Sequence, residues 1–125
     1  MNIFKNIKTH YDANYNLGTT PTLYLKEGPD IAEKPFVVMD LVSNIPTETF
    51  DNTNEIFKMQ FNIFENSNSV AAIELIKDEL QRIFDNTLIT MDSGTNYFTK
   101  RTATRLEYFD KIWQYNIEYI FEVQA

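Results

Sequence analysis

The carboxy-terminal end of the chain alternates between large apolar and polar side chains. One side carries the apolar residues Trp113, Tyr115, Ile117, Tyr119, Phe121 and Val123, and the other side is polar except for Ile120. This period of two indicates a β-strand with one buried and one solvent-facing side. At ~3.4 Å per residue the run spans roughly 37 Å, which is about the diameter of a compact domain of this length. We therefore expect one strand to cross the whole domain.

The composition limits what the chain can be. Its 125 residues without a cysteine fit a single domain, residues 1–125, that is held together by packing alone. The formal net charge of −7 argues against tight, sequence-independent binding to nucleic acid, which depends on basic contacts to phosphates. No stretch approaches the ~20 apolar residues that span a bilayer. We expect a soluble, cytoplasmic protein without a membrane partner.

The amino-terminal third predicts little regular structure. Apolar residues at helical spacing predict a short amphipathic helix over Asn2–Ala13. Scattered Gly and Pro residues between Asn14 and Lys34 indicate mostly loop, with room for one edge strand over Thr22–Lys26.

Two strands are predicted in the middle of the chain. A nearly continuous apolar run predicts a central strand over Pro35–Ser43. The polar segment Asn44–Asn54 is interpreted as a long exposed hairpin loop. The alternation that follows, with Phe57, Met59, Phe61 and Ile63 on one side, predicts a strand that pairs antiparallel with a neighbour.

One helix is predicted over Val70–Phe84, after the capping residues of Asn66–Ser69. Its apolar residues form a stripe that should lie on the sheet: Ile73, Ile76, Leu80, Ile83 and Phe84. Leu75 falls outside this stripe, so it meets either a second layer or another chain.

The remaining residues predict a short strand over Leu88–Asp92, a turn over Asp92–Gly94 and a looser strand over Tyr97–Phe109. A reversal at Asp110–Lys111 then leads into the final strand. The expected fold class is α+β: a mostly antiparallel, mixed β-sheet with one long helix and a short N-terminal helix packed on one face.

Catalytic chemistry has weak support in the sequence. His10 is the only histidine, and we interpret it as an ordinary exposed side chain. The carboxylate pairs Glu118 with Glu122 and Asp78 with Glu79 fall on faces that periodicity assigns to solvent, whereas acid–base catalysis needs a cleft with one desolvated carboxyl. We expect no enzyme activity, no catalytic residue, no cofactor and no metal.

An interface is the better expectation. Lys100, Arg101 and Arg105 concentrate positive charge, which favours pairing with acidic groups of a neighbouring subunit over nucleic-acid binding. Tyr97 and Phe98 lie on a predicted exposed arm, Asp92–Lys100, where they anchor an interface or fold back on the core. The candidate subunit-interface residues are Leu75, Tyr97, Phe98, Lys100, Arg101, Arg105, Glu118 and Glu122.

The order of these elements resembles the tail-terminator, or tail-completion, family of long-tailed bacteriophages. The resemblance covers Gly18 to the carboxy terminus and is one of pattern, because the family has no invariant catalytic signature. It is carried by the strand Pro35–Met39, the strand Phe57–Phe64, the helix Val70–Asp85 and the closing hairpin that ends in Tyr115–Phe121.

The resemblance implies a homo-oligomeric ring, with a hexamer favoured and a dodecamer possible. Such a ring stops growth of the tail tube and joins the tail to the head connector, so its partners are the phage tail tube protein and a head connector or neck protein. DNA passes through the ring without specific binding, and an acidic lumen would repel it. The implied location is the virion tail or neck after assembly in the host cytoplasm. A neck or connector ring protein of the same build, or a small acidic immunity-type inhibitor module, is the alternative.

Overall fold

The described part of the chain contains two helices and five strands. The computed structural model describes residues 3–25, 34–48, 53–66 and 70–124. In chain order its elements are α1 (Ile3–Asn14), β1 (Thr22–Leu25), β2 (Phe36–Glu48), β3 (Thr53–Glu65), α2 (Val70–Phe84), β4 (Thr95–Phe109) and β5 (Ile112–Gln124).

The strands form one mixed sheet in the order β1-β2-β3-β5-β4. The short strand β1 pairs parallel with β2, and all other pairs are antiparallel. The strand around Met59 therefore pairs antiparallel on both of its sides, with β2 and with the carboxy-terminal strand. The α+β class and the mixed, mostly antiparallel sheet are confirmed.

The core lies against one face of this sheet, which we call the inner face. Met39, Phe61 and Ile117 are directly opposite one another on β2, β3 and β5, and all three are buried. Ile7 and Tyr11 of α1 belong to the same buried cluster as the apolar stripe of α2. For β3 and β5 the sequence pattern correctly predicted which side of the strand is buried.

Helix α2 has the predicted bounds, Val70–Phe84, and its predicted stripe is buried. Leu75 is 56% exposed, as its position off the stripe implies. Most of the proposed capping segment, residues 67–69, lies outside the described residues. The expected contrast between one long and one short helix is wrong, because the two helices have 15 and 12 residues.

The predicted hairpin loop Asn44–Asn54 is wrong at both of its ends, and residues 49–52 of it lie outside the described residues. Strand β2 continues to Glu48 and β3 already begins at Thr53, with residues such as Ile45 and Ile56 paired across the two strands. Backbone hydrogen bonds hold a hairpin whether or not its side chains are apolar. The polar composition of this part of the hairpin therefore predicts a loop, although its backbone is paired.

The predicted strand Leu88–Asp92 is also wrong, because these residues adopt an irregular conformation. Side chains replace a strand partner here: Asn96 Oδ1 accepts a hydrogen bond from the Ile89 backbone N–H (2.8 Å), and Asn6 Oδ1 accepts one from the Asp92 N–H (3.1 Å). Buried Ile89 fixes the segment on the core. The apolar residues that suggested a strand are anchors of this connection.

The closing hairpin agrees with its pattern. Ile117, Tyr119, Phe121 and Val123 of β5 are completely buried. The reversal is at Asp110–Lys111, whose φ angles of 50° and 65° are those of a two-residue hairpin turn with both central residues left-handed. Both predicted strands and the turn between them are confirmed.

Candidate assembly surface

All predicted interface residues except Leu75 lie on the β4–β5 hairpin. Cross-strand neighbours in an antiparallel pair share a face of the sheet. Phe98 is opposite Glu122, and Ala103 is opposite Glu118, so these residues point away from the core. We call this side of the sheet the outer face. Leu75, on α2, is separate from this group.

Charged residues of both signs meet on the outer face. Lys100 and Arg105 of β4 are opposite Ile120 and Asn116 of β5, and therefore share this face with Glu118 and Glu122. Arg101 is instead opposite Tyr119, so it lies on the inner face of the sheet, at the margin of the core. The structure thus separates the three cations that are close in sequence.

Two of these cations already have partners within the chain. Arg101 lies 3.5 Å from Asp85, and Arg105 is hydrogen-bonded to Glu107. Within the described ranges Lys100 forms no ion pair. Exposed ion pairs contribute only about 0–1 kcal/mol, so a second molecule could replace Arg105's partner at little cost.

The predicted arm Asp92–Lys100 is not a free arm, because β4 begins at Thr95 and pairs with β5 from there. Asn96, near the start of β4, is buried, and its Nδ2 donates hydrogen bonds to the carbonyl oxygens of Phe98 (3.0 Å) and Glu122 (3.1 Å). Tyr97 is 42% exposed and Phe98 is 40% exposed. The interpretation that these two aromatic residues fold back on the core is therefore wrong.

The structure also exposes apolar residues that the sequence interpretation did not select. Phe109 is 83% exposed beside the hairpin turn. Leu41, Val42 and Ile45 are exposed on the part of β2 that extends beyond β1. We call this part, Asp40–Glu48, the distal segment of β2. In the sequence, the apolar run continues past Met39 and indicates that the strand extends further. The polar residues that follow this run nevertheless favour a loop.

His10 has a structural role and is half-buried, which corrects the expectation of an exposed side chain. Its Nε2 lies 3.1 Å from the carbonyl oxygen of Ile83, and its ring packs against Phe84 with 5.5 Å between ring centroids. The residue therefore joins α1 to the end of α2.

An ion pair on α2 between buried Glu79 and exposed Arg82 connects this helix to the end of α1 and the residues that follow it. Glu79 accepts hydrogen bonds from Arg82 Nε (2.7 Å) and from the Asn16 backbone N–H (2.6 Å). These bonds, led by the one from Arg82, lower the pKa of Glu79 despite its burial. Burial and the charge of Glu79 raise the pKa of Tyr15 to about 12. The carboxylate is a structural anchor, held in its charged form.

A second buried tyrosine couples the core to β4. The Tyr119 hydroxyl donates to Asp85 Oδ1 at 2.5 Å, and Asp85 is the carboxylate that pairs with Arg101. Burial, with this hydrogen bond, raises the pKa of Tyr119 far above its ordinary value. The group therefore stays protonated and acts as a fixed donor.

The described residues contain no cluster of three or more His, Asp or Glu side chains that could hold a metal ion. None of the helices in these ranges is long and apolar enough to cross a bilayer. A shallow depression of about 190 Å³ on the outer face is lined by side chains that include Gln60, Asn116 and Glu118. Glu118 already pairs there with Lys58 and accepts a hydrogen bond from Thr102. This arrangement suits contact with a complementary surface.

Comparison with known proteins identifies the fold. No protein-family model and no curated protein sequence matches the chain. Its structure is similar to a chain of a solved structure described as the virion of a native gene transfer agent particle, with a TM-score of 0.74. The similarity covers 83% of this chain and 79% of that chain, at 6% sequence identity. This chain therefore has the same fold as a component of a virion particle.

Proposed function

We propose that this protein is a structural subunit of a phage-like virion. The observation that carries the proposal is the shared fold with a chain of the gene transfer agent particle over most of both chains. The exposed apolar and charged residues of β4 supply a surface for contact with other virion components. In this proposal the chain is not an enzyme.

The more specific role is that of a tail-terminator ring subunit, which caps the tail tube and joins it to the head connector. The order of elements supports this role, because it follows the tail-terminator pattern from Gly18 onwards. The net charge of −7 suits a ring through which DNA passes without adhering. Contacts between unlike surfaces of identical subunits close into a ring when the rotation between neighbours is correct.

Light scattering after size exclusion, followed by negative-stain imaging, tests the structural role. We expect closed rings at high concentration or when tail tube protein is added. A chain that stays monomeric under both conditions, and that does not bind purified tubes, would contradict the proposal. Binding to a basic protein that weakens steeply with salt would instead favour the acidic inhibitor.

Position in a particle distinguishes a tail terminator from a neck protein of the same build. A tail terminator should bind the end of an isolated tail tube, whereas a neck protein should bind the head connector in the absence of tubes. Mixing the purified ring separately with tubes and with heads, and imaging both samples, gives the answer directly.

A further inference from the structure

The sheet has two edges without a strand partner among the described residues. Strand β4 pairs with β5 on one side only, over its full 15 residues. At the other edge, β1 pairs with Phe36–Met39, and the distal segment of β2 has no strand partner on that side among the residues that the structure describes. Unpaired edges present rows of N–H and C=O groups that can accept another strand.

We propose that the free edge of β4 pairs antiparallel with the distal segment of β2 in a second copy of this chain, so that the sheet continues from one copy to the next. The inference rests on the proposed role as a self-assembling virion subunit and identifies the two surfaces that meet.

Strand direction supports this pairing. Strand β2 is antiparallel to β3, β3 to β5, and β5 to β4. After these three reversals β4 runs antiparallel to β2. A second copy that stands beside the first in the same orientation therefore offers its β2 antiparallel to β4, which is the slightly more stable arrangement. The contact joins unlike surfaces, as ring closure requires.

Charge complementarity also supports it. The distal segment begins at Asp40 and ends at Glu48, and it contains neither Lys nor Arg. Asp40 is opposite Gln60 on the outer face, the same face that carries Lys100 and Arg105 at the β4 edge. Asp40 forms no ion pair within the described ranges and accepts one hydrogen bond from Asn62 Nδ2 (3.1 Å). A cation of the neighbouring copy would give it a charged partner.

Apolar side chains accompany the charges on both edges. Leu41, Val42 and Ile45 on β2 are 40%, 49% and 54% exposed, and Tyr97 and Phe98 on β4 are similarly exposed. Pairing of the two edges would cover both groups. The symmetric alternative, β4 against β4 of a second copy, pairs two strands that each carry three cations and one carboxylate, so their net positive charges repel.

Cross-linking between single-cysteine variants tests the pairing, because the natural chain has no cysteine. Ala103→Cys places a thiol in the middle of β4, and Ser43→Cys places one in the distal segment of β2, both on the outer face. A bismaleimide of about 10 Å reach tolerates an error of roughly three residues in register. The exposed position Thr9 on α1 supplies the control, Thr9→Cys.

We expect the mixture of A103C and S43C proteins to form covalent dimers in several-fold higher yield than either protein alone or than mixtures with T9C. The double variant should form a ladder of longer oligomers. Cross-linking of A103C with itself at the yield of the mixture would overturn the proposal in favour of β4–β4 pairing. Rings that form without the mixed cross-link would overturn the edge pairing and leave the virion role intact. Absence of both rings and cross-links at high concentration would contradict both.

Discussion

Strands β4 and β5 form one hairpin, pair along almost their whole length, and differ sharply in burial. On β5 every second residue from Ile117 onwards is an apolar side chain with no exposed surface. On β4 Asn96 and Thr99 are buried, whereas almost all of the remaining residues are exposed. The two strands pair with each other, and β5 also pairs with β3, so β5 is an inner strand of the sheet and β4 is an edge strand. Strand β5 supplies the core, and β4 supplies a surface.

Local geometry agrees with this difference. The register between the two strands shifts at Asn96/Phe98 and again at Arg101/Ala103. Strand β3 pairs with β5 without any shift. Bulges bend a strand and change the direction of its side chains, and they are common at sheet edges. Strand β5, by contrast, has strand partners on both sides and contacts α2.

The largest expected effect separates the core strand from the edge strand with one residue type. Phe121→Ala on β5 should lower the free energy of unfolding by about 3–5 kcal/mol, because it leaves a cavity at a completely buried position. Phe98→Ala on β4 should cost less than about 1 kcal/mol. Urea unfolding followed through the single tryptophan, Trp113, measures both. Equal losses would contradict the division of roles.

Asn96 is the exception on β4 and should behave as a core residue. Its side chain accepts hydrogen bonds from the Ile89 N–H and the Thr99 hydroxyl, in addition to its two donated bonds. Asn96→Ala should cost about 2 kcal/mol, because it leaves buried donors and acceptors unpaired. Thr95→Ala, at the exposed neighbouring position, is the control in the same unfolding experiment. A loss no larger than that of the control would show that the hydrogen bonds do not hold the edge strand.

Acid should weaken the contact between α2 and the end of α1, because that contact depends on the charge of Glu79. The lowered pKa of Glu79 means that its stabilisation is fully present above its ordinary pKa of 4.5 and is lost as the pH falls through the lower value of the folded state. Glu79→Gln should therefore be less stable than the natural chain near neutral pH, by about 1 kcal/mol, and this difference should shrink on acidification. Urea unfolding between pH about 3 and about 7 measures it. A difference that is constant with pH would contradict the assignment.

The smallest effect on stability is expected at Lys100, together with a clear effect on assembly. Lys100→Glu should change the free energy of unfolding by less than about 0.5 kcal/mol, because the side chain is exposed. If its charge faces acidic groups of a second copy, self-association should weaken about fivefold, which corresponds to about 1 kcal/mol. Sedimentation at several concentrations measures this change. Lys8→Glu on α1 makes the same charge change away from both edges, and equal weakening by both variants would point to net charge alone.

The sequence predicts best where burial imposes a period. The stripe of α2 and the alternation of Phe57–Ile63 both face a packed core. Buried positions in these elements are therefore apolar and solvent-facing positions are polar. The bounds of α2 and the buried side of β5 follow directly from these patterns. In these elements burial determines the polarity of each side chain, and polarity can be determined directly from the sequence.

Prediction fails where structure depends on the backbone or on single polar contacts. The continuation of β2 beyond Ser43 leaves no period, because that part of the strand has no core to face. The irregular path through Leu88–Asp92 depends on single hydrogen bonds to Asn6 and Asn96. Asn6 is 86 residues away from its partner Asp92 in the sequence, and Asn96 is 7 residues away from its partner Ile89. The sequence predicts only part of the candidate surface for the same reason. The cations of β4 are visible in the sequence, whereas the edge of β2 that has no partner among the described residues is visible only in the strand order.

Amide hydrogen exchange, measured by mass spectrometry on the chain alone and on its assembled form, tests most directly the claim that β4 is the contact strand and β5 the core strand. We expect exchange to slow on assembly in Thr95–Phe109 and in Asp40–Glu48, each of which has one edge without a strand partner in the described part of a single copy. Strands β3 and the buried half of β5 should hardly change, because neighbours on both sides already protect them. Unchanged exchange along β4, with slowing confined to the helices, would contradict it.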